Sequence, residues 1–307
     1  MIDFTLAIVN WNTKALLKNC LQSIRACQDE NLKVQVLVLD NASDDGSADM
    51  VETHFPEVYL VRNPDNVGFA KGHELLRPYA KGRFHVLVNS DIELRPGCLK
   101  TIYKRMTEDR MIGVLGPQIV GPGESIQPSC RRLPTLLLLL WDAIGFGKLI
   151  GGWLNPYHMA SFDHRSSRSV QQVMGSFFVI RASLLPQIGF LDTRFFMYFE
   201  EVDFCKRVLE KGCKVYFDSE AQVYHEGGGS SRHVRTQTIR RTMRSMHQYF
   251  RKHRGRWVTL PLAVITGIDT FTHTVFSAFK FRNPIPVLKA YSLGVWDIVS
   301  QKRADNA

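Results

Sequence analysis

An α/β sandwich built on a mostly parallel sheet is expected from three features of the chain. Over the first 120 residues, short β-branched runs alternate with amphipathic stretches, the pattern of successive βα units. Each apolar run ends on a polar residue, as strands do where a parallel sheet opens onto a binding crevice. The composition, 45% hydrophobic and 22% charged with 13 Pro and 22 Gly, is that of an ordinary globular protein and excludes disorder, collagen and coiled coil. At 307 residues the chain has room for two domains or for one large α/β domain with appendages.

Taken in order, the strands are expected at Thr5–Asn10, Val34–Asp40, Val58–Arg62 and His85–Asn89, with helices starting near Lys14, Gly46, Gly68 and Pro96. Asn10, Asp40, Arg62 and Asn89 would then line one crevice. The pattern breaks between Gly121 and Ser169, where Gly, Pro and Arg surround the apolar run Leu136–Trp141, and this stretch is expected to be an insertion. A second α/β stretch resumes at Val173, passes through FFMYFEEVDFCKRVLEKG and closes on the strand-like KVYFDSEAQVYH. A glycine trio, Gly227 to Gly229, separates it from a basic segment.

The charge is unevenly placed. Residues 1–224 carry 25 Lys/Arg and 25 Asp/Glu, whereas the last 83 residues carry 14 against 4 and so hold the whole net charge of +10. A neutral body with a basic C-terminal segment implies an anionic partner, either lipid headgroups or nucleic acid. The six cysteines form no CxxC pair, and the chain opens on a strand-like run rather than a signal peptide, so a reducing, cytoplasmic setting is expected. Residues 257–281 are apolar but contain Pro261, Gly267, Asp269, His273 and five threonines, and Arg254, Arg256, Lys280 and Arg282 bracket them. Crossing a bilayer takes ~20 near-continuous apolar residues, so an interfacial segment is expected here, and also at 136–154.

Four places offer chemistry. Asp91 follows the strand HVLVN; a carboxylate there suits a hard divalent cation that keeps positions open for phosphate oxygens, or else caps the helix after Pro96. Glu200, Glu201 and Asp203 crowd three acids into an apolar segment, as a general base with its neighbours or as a solvated first helical turn. His225, at a strand end, is either a metal ligand or structural. The run Asn66-Val-Gly-Phe-Ala-Lys-Gly is Gly-rich at a helix start, where backbone amides and Lys71 can approach a phosphate or a base. No GxxxxGK[ST], GxSxG or GxGxxG pattern is present, which removes most nucleotide-hydrolase, serine-hydrolase and dehydrogenase readings.

In this order, TLAIVNWN, VLVLDNASDDGS, NPDNVGFAKG, VLVNSDIEL, GSFFVIRASLL, FFMYFEEVDFCKRV and VYHEGGGS resemble the inverting glycosyltransferase family 2, and within it bacterial rhamnosyltransferases of cell-surface polysaccharide assembly. The likeness covers residues 3 to 250. It implies a GT-A fold with one continuous sheet, residues 1–230 forming the glycosyltransferase domain and 231–307 a basic, partly amphipathic helical segment that associates with membrane. It implies that Asp40 contacts the nucleotide base, with Val9, Asn10, Asn66 and Gly68 lining the same pocket. The metal-binding DxD motif maps onto Asn89-Ser90-Asp91. Its first acid is replaced by Asn89, which can still hydrogen-bond a ribose or phosphate, and His225 completes a site for Mg²⁺ or Mn²⁺ with Asp91. Glu201 matches the catalytic base, and Asp203 an orienting or acceptor-contacting acid. His73 stands where the family often has Asn.

The resemblance implies transfer of rhamnose from dTDP-rhamnose to a saccharide on a polyprenyl diphosphate, by a peripheral protein at the cytoplasmic face of the cell membrane, held by the anionic surface through the Leu136 and Trp257 regions and the Arg232–Arg256 cluster. A UDP-hexose or UDP-N-acetylhexosamine is the alternative donor. An inactive scaffold and a nucleic-acid binder using residues 232–256 are the competing classes; the second leaves the acid cluster unexplained, and nucleic acid is not an expected partner.

Overall fold

The computed structural model describes residues 1–27, 29–145, 156–226 and 235–279. The chain divides into two compact units, the first comprising Met1–Arg131, Asp163–Thr193 and Glu200–Ser230, the second Arg132–Phe162, Arg194–Phe199 and the chain from Ser231 onward.

The first unit is built on a ten-stranded sheet. Its main path runs β3 (Tyr59–Asn63), β2 (Val34–Asn41), β1 (Ile2–Asn10), β4 (Gly82–Asn89), β11 (Phe177–Arg181), β6 (Ile112–Val120), β12 (Lys214–His225) and β5 (Ile92–Leu94). β7 (Ile126–Gln127) and β9 (Arg168–Val170) pair off this path, and β8 (Cys130–Arg131) joins β10 (Gln172–Val173) in a separate ribbon. The pairings β1–β2, β1–β4, β2–β3 and β6–β12 are parallel, while β11 is antiparallel to both β4 and β6. All four strands expected in the first 90 residues form, extended or shifted by one to three residues at their ends.

The four expected helices form as well: α1 (Lys14–Ala26), α2 (Ser47–His54), α3 (Phe69–Leu76) and α4 (Cys98–Glu108). In α1, Leu17, Cys20, Leu21 and Ile24 fall at i, i+3, i+4 and i+7 and are buried. They pack with Phe4, Leu6 and Ile8 of β1 and Phe84, Val86 and Val88 of β4, so one sheet face carries the main core. On the other face Ala7, Leu37 and Leu39 meet Leu76 of α3.

β6 is the central strand that local sequence conceals, because Gly113, Gly116 and Pro117 interrupt it. All nine of its residues are buried. A Cβ at Gly116 would lie 2.6 Å from Val173 Cβ, so the glycine is demanded by close approach of β10. Pro117 sits opposite Asp218, beside a register shift in β12 between Asp218 and Gln222. Asp218 is fully buried and pinned there by Arg105 Nε at 2.9 Å, Ser167 Oγ at 3.1 Å and the Glu220 amide at 3.0 Å. Past this bulge β12 pairs with β5, placing Val223, Tyr224 and His225 opposite Leu94, Glu93 and Ile92.

The second unit contains the helices Leu136–Ala143, Arg235–Arg254 and Thr259–Phe279. Ser245 Oγ donates to the Met197 carbonyl at 2.8 Å, and the Phe199 and Tyr249 rings lie 5.7 Å apart. The stretch 121–169, expected as one insertion, is divided: its short strands join the first unit and residues 132–162 the second. No described helix is long and apolar enough to cross a membrane. Residues 146–154, the trio Gly227–Gly229, Arg232 at the head of the basic cluster, and Lys280 and Arg282 lie outside the described residues.

Candidate active site

Parallel register gathers the polar strand ends. Asn10 pairs with Asp40, Val9 with Asn89, and Asn41 with Asn63. Asp40 is buried; its Oδ1 accepts from Asn10 Nδ2 at 3.2 Å and its Oδ2 from the Ser43 amide at 3.0 Å. Asn10 Oδ1 in turn accepts from Thr13 Oγ1 at 2.6 Å, and Thr13 shares a hydrogen bond with Ser90 Oγ at 2.7 Å. One chain of contacts thus joins the base-pocket candidates Asn10 and Asp40 to the Asn89-Ser90-Asp91 turn. Arg62 is the exception among the expected crevice residues. Its guanidinium is half exposed and held by Asp49 at 2.7 Å and Glu52 at 2.8 Å, on the adjoining α2.

A second network builds the Gly-rich loop. Asn41, nearly fully buried, donates to Asn66 Oδ1 at 3.0 Å and the Gly68 carbonyl at 3.3 Å, and accepts from Asn63 Nδ2 at 3.2 Å and the Val67 amide at 3.0 Å. Asn66 Oδ1 also accepts from the Gly68 amide at 3.1 Å, an Asx turn. Gly68 has φ 83° and ψ −175°, a conformation open essentially to glycine alone, and it starts α3. Gly72, one turn on, packs against Val9 so tightly that a Cβ would fall 2.9 Å from Val9 Cγ1. His73 is fully buried against the Phe69 ring at 4.4 Å, so it packs α3 onto the sheet rather than facing a ligand, while Lys71 is exposed.

Asp91 and His225, far apart in sequence, meet across β5 and β12. His225 Nε2 lies 3.4 Å from Asp91 Oδ1, and the Glu226 amide donates to the Asp91 carbonyl at 3.2 Å. The helix-cap reading of Asp91 does not hold, because Gly97 occupies the cap of α4 and no side chain bonds there. His225 Nδ1 lies 3.1 Å from Gln127 Oε1. As a carbonyl oxygen can only accept, Nδ1–H donates to it, and Nε2 faces the carboxylate oxygen. The contact is either a direct imidazole–carboxylate pair or a bridge through a shared cation. Adjacent ligands on an ion with bonds of about 2.1 Å lie about 3 Å apart, so the separation fits a shared divalent metal. A carboxylate and an imidazole backed by an amide are the donor set such an ion takes. Among the described residues no third His, Cys, Asp or Glu joins them.

The helix Glu200–Glu210 carries the acid cluster. Burial separates the three acids, so the cluster is not a fully solvated first turn. Glu200 is 4% and Asp203 0% exposed, beside Val202 and Phe204, and Glu201 alone is half-buried. Asp203 bonds Arg207 at 2.8 Å, and Arg207 Nη2 donates to the Phe190 carbonyl at 2.7 Å, so this pair ties the helix to the loop before it. Glu201 Oε1 accepts from Gln172 Nε2 at 3.3 Å, and its stem runs 3.5 Å from where a Cβ of Gly175 would be. Tyr198 and Phe199, immediately before the helix, both have φ 70°, a costly conformation for bulky side chains of the kind that gathers at functional sites.

Sequence reasoning missed Asn41, Thr13, Ser90, Gln127 and Gln172. Asn41 had a signal, since it follows Asp40 directly at the end of an apolar strand. Gln127 and Gln172 had none, because their partners lie far away in sequence. All six cysteines are free, and burial pushes the Cys20, Cys98 and Cys205 thiols far up, so these three are core groups rather than nucleophiles.

Known proteins share sequence and fold with this chain. Over 218 residues the chain is 28% identical to an N-acetylglucosaminyl-diphospho-decaprenol L-rhamnosyltransferase from Mycobacterium tuberculosis, covering 65% of this chain and 69% of that protein. GalNAc-T7, solved with UDP, GalNAc and Mn²⁺, superposes with a TM-score of 0.61 at 15% identity, covering 81% of this chain and 48% of that one, so this chain spans about half its length. The mannosyltransferase PcManGT from Pyrobaculum calidifontis, solved with GDP-Man and Mn²⁺, superposes with a TM-score of 0.57 at 14% identity, covering 95% and 85%. These neighbours establish the GT-A fold expected from the sequence. Residues 5–203 match the family described as Glycosyl transferase family 2, and the chain is therefore a member of that family, a glycosyltransferase.

Proposed function

We propose that this glycosyltransferase moves rhamnose from dTDP-rhamnose, with inversion, onto a saccharide carried on a polyprenyl diphosphate, working peripherally at the cytoplasmic face of the cell membrane. The observation that carries the catalytic part of this reading is the convergence of Asp91 and His225 at 3.4 Å. The mycobacterial relative, whose name specifies rhamnosyl transfer to a diphospho-decaprenol-linked sugar, supports the choice of donor and acceptor.

Asp91 and His225 would hold Mg²⁺ or Mn²⁺. Such an ion, when bound, supplies electrostatic stabilisation of the leaving diphosphate. Asp40 accepts a hydrogen bond from the nucleobase, with Asn10 holding its carboxylate in place. Val9, Asn66 and Gly68 form the pocket wall, and Asn89 offers its amide to ribose or phosphate. Glu201, the half-exposed acid of its cluster, takes the proton from the acceptor hydroxyl as that oxygen attacks the anomeric carbon opposite the leaving group. The basic C-terminal segment draws the protein to anionic lipid, each Lys or Arg near the surface adding about 1 kcal/mol.

Calorimetry with dTDP-rhamnose, UDP-glucose, UDP-galactose and UDP-N-acetylglucosamine, with and without Mn²⁺, tests the reading. Metal-dependent binding of dTDP-rhamnose alone is expected. Preference for a UDP-sugar would keep the fold and replace the donor; absence of binding to all four would favour a scaffold.

A further inference from the structure

Nothing in the core accounts for the outer face of the helix Thr259–Phe279. Its inner side is satisfied within its own unit: Leu262 and Ile265 are 1% and 8% exposed, as is Val258 just before it at 0%. On the outer side Leu260, Val264, Gly267 and Phe271 follow at i, i+4, i+7 and i+11, one stripe of a helix. Leu260 is 73%, Val264 55% and Phe271 70% exposed, and Trp257, in the turn leading in, is 62% exposed. No charged residue lies on the stripe.

The neighbouring helix repeats the pattern. Thr272 Oγ1 donates to the Ala143 carbonyl at 2.7 Å, joining the long helix to Leu136–Ala143. There Leu139 and Ala143 are buried, whereas Leu137, Trp141 and Ile144, again at i, i+4 and i+7, remain exposed. Two packed helices that each leave an apolar stripe in solvent present more than scattered surface hydrophobics.

Charge identifies the occupant. Arg254 and Arg256 are exposed at the start of the stripe, and Arg240 and Arg244 are exposed four residues apart on the preceding helix. Aliphatic side chains with an interfacial Trp, rimmed by arginines, are the composition of a helix lying in a headgroup layer. No described helix is apolar enough to span, and the long helix keeps Asp269 and Thr266 away from the stripe, as a surface-lying helix does.

We propose that the face formed by Trp257, Leu260, Val264 and Phe271 docks on an anionic lipid bilayer, with Arg254 and Arg256 on the headgroups. This rests on the lipid-linked acceptor reading for its purpose, but not for its test.

The full chain is sedimented with vesicles of phosphatidylcholine alone or with phosphatidylglycerol, at low and high salt. Binding to the anionic vesicles, weakened by salt, is expected. The double variant Leu260→Asp/Phe271→Asp should lower that partitioning by about 100-fold or more. Arg254→Glu/Arg256→Glu should weaken binding to anionic vesicles alone. Both pairs are exposed, so unchanged thermal unfolding serves as the folding control, and Leu260→Ser/Phe271→Ser is the milder substitute. Unchanged vesicle binding in the apolar variants overturns the proposal, as does loss of a dimer in place of vesicle binding, which would make the face a contact between two copies. Turnover on a soluble, short-chain acceptor is measured in parallel. If the wild-type chain binds vesicles but transfers no sugar, the catalytic reading fails and the docking face stands.

Discussion

His225 Nε2 stands 3.4 Å from Asp91 Oδ1 because β12, after its bulge at Asp218, runs antiparallel to β5 with His225 opposite Ile92. A residue at the end of β12 thereby meets one in the turn after β4. Gln127 Oε1 accepts from the imidazole Nδ1 at 3.1 Å, which turns Nε2 toward the carboxylate.

That arrangement predicts graded effects on metal binding. Asp91→Asn and His225→Ala should each abolish Mn²⁺-dependent nucleotide binding, whereas Gln127→Leu, which leaves both ligands in place, should weaken it by about 10- to 100-fold. Titration calorimetry with Mn²⁺ and the nucleoside diphosphate measures all three; equal loss in all three would make Gln127 a structural residue only.

Glu201→Gln preserves shape and the contact to Gln172 while removing the base. Transfer should fall by about 10² to 10⁴-fold, with donor affinity within a factor of two of wild type. Rates under saturating donor, set beside calorimetric donor affinities, separate the two quantities.

Asp203 contrasts with its neighbour. It is fully buried and paired with Arg207, so Asp203→Ala should destabilise the protein by roughly 3 kcal/mol by leaving a guanidinium without its carboxylate. Urea unfolding gives the value. Loss of rate without loss of stability would instead return Asp203 to the acceptor site.

Gly68→Ala forces a Cβ into a backbone region that is essentially glycine's own, at roughly 1 to 3 kcal/mol. Because the same residue sits in the Asn41–Asn66 network, the KM for the donor should rise more than kcat falls, in Gly68→Ala and Asn41→Ala alike. Steady-state kinetics reads the split.

Acid should unfold this protein through two buried histidines. Burial, and Arg77 nearby, push the His85 imidazole down to about 4, and burial beside His85 holds His73 well below its ordinary value. Among the described residues neither His73 ring nitrogen nor His85 Nε2 has a hydrogen-bond partner. The folded state keeps both neutral while the unfolded chain takes up protons near pH 6.5. Stability is therefore full above that pH and declines as the pH falls toward 4, by up to about 1.4 kcal/mol per pH unit for each histidine. Urea midpoints between pH 7.5 and 4.5, for wild type and His85→Leu, should show a shallower slope in the variant.

Local sequence carries most of the elements. β1, β2 and β4 each hold a short apolar run ending on a polar residue and α1 keeps an i, i+3, i+4, i+7 face, so each declares itself within ten or so residues. β6 does not, because Gly116 and Pro117 make sense only once β10 and the β12 bulge lie against them. Arg62 shows the reverse error: its strand-end position pointed to the crevice, but Asp49 and Glu52 on α2 claim it.

From residue order alone came the α/β class, the polar strand ends, the acid cluster and the basic C-terminal segment, since periodicity, caps and charge are properties of neighbours along the chain. Only the tertiary structure decided how closely Asp91 and His225, paired beforehand by resemblance alone, approach, that Asn41 holds the Asn66 loop, that Asp203 is fully buried while Glu201 is half-exposed, and that a stripe from Trp257 to Phe271 stays in solvent. Those outcomes depend on strand register and on which helix face finds a partner, and both are set by contacts between segments that local sequence cannot pair.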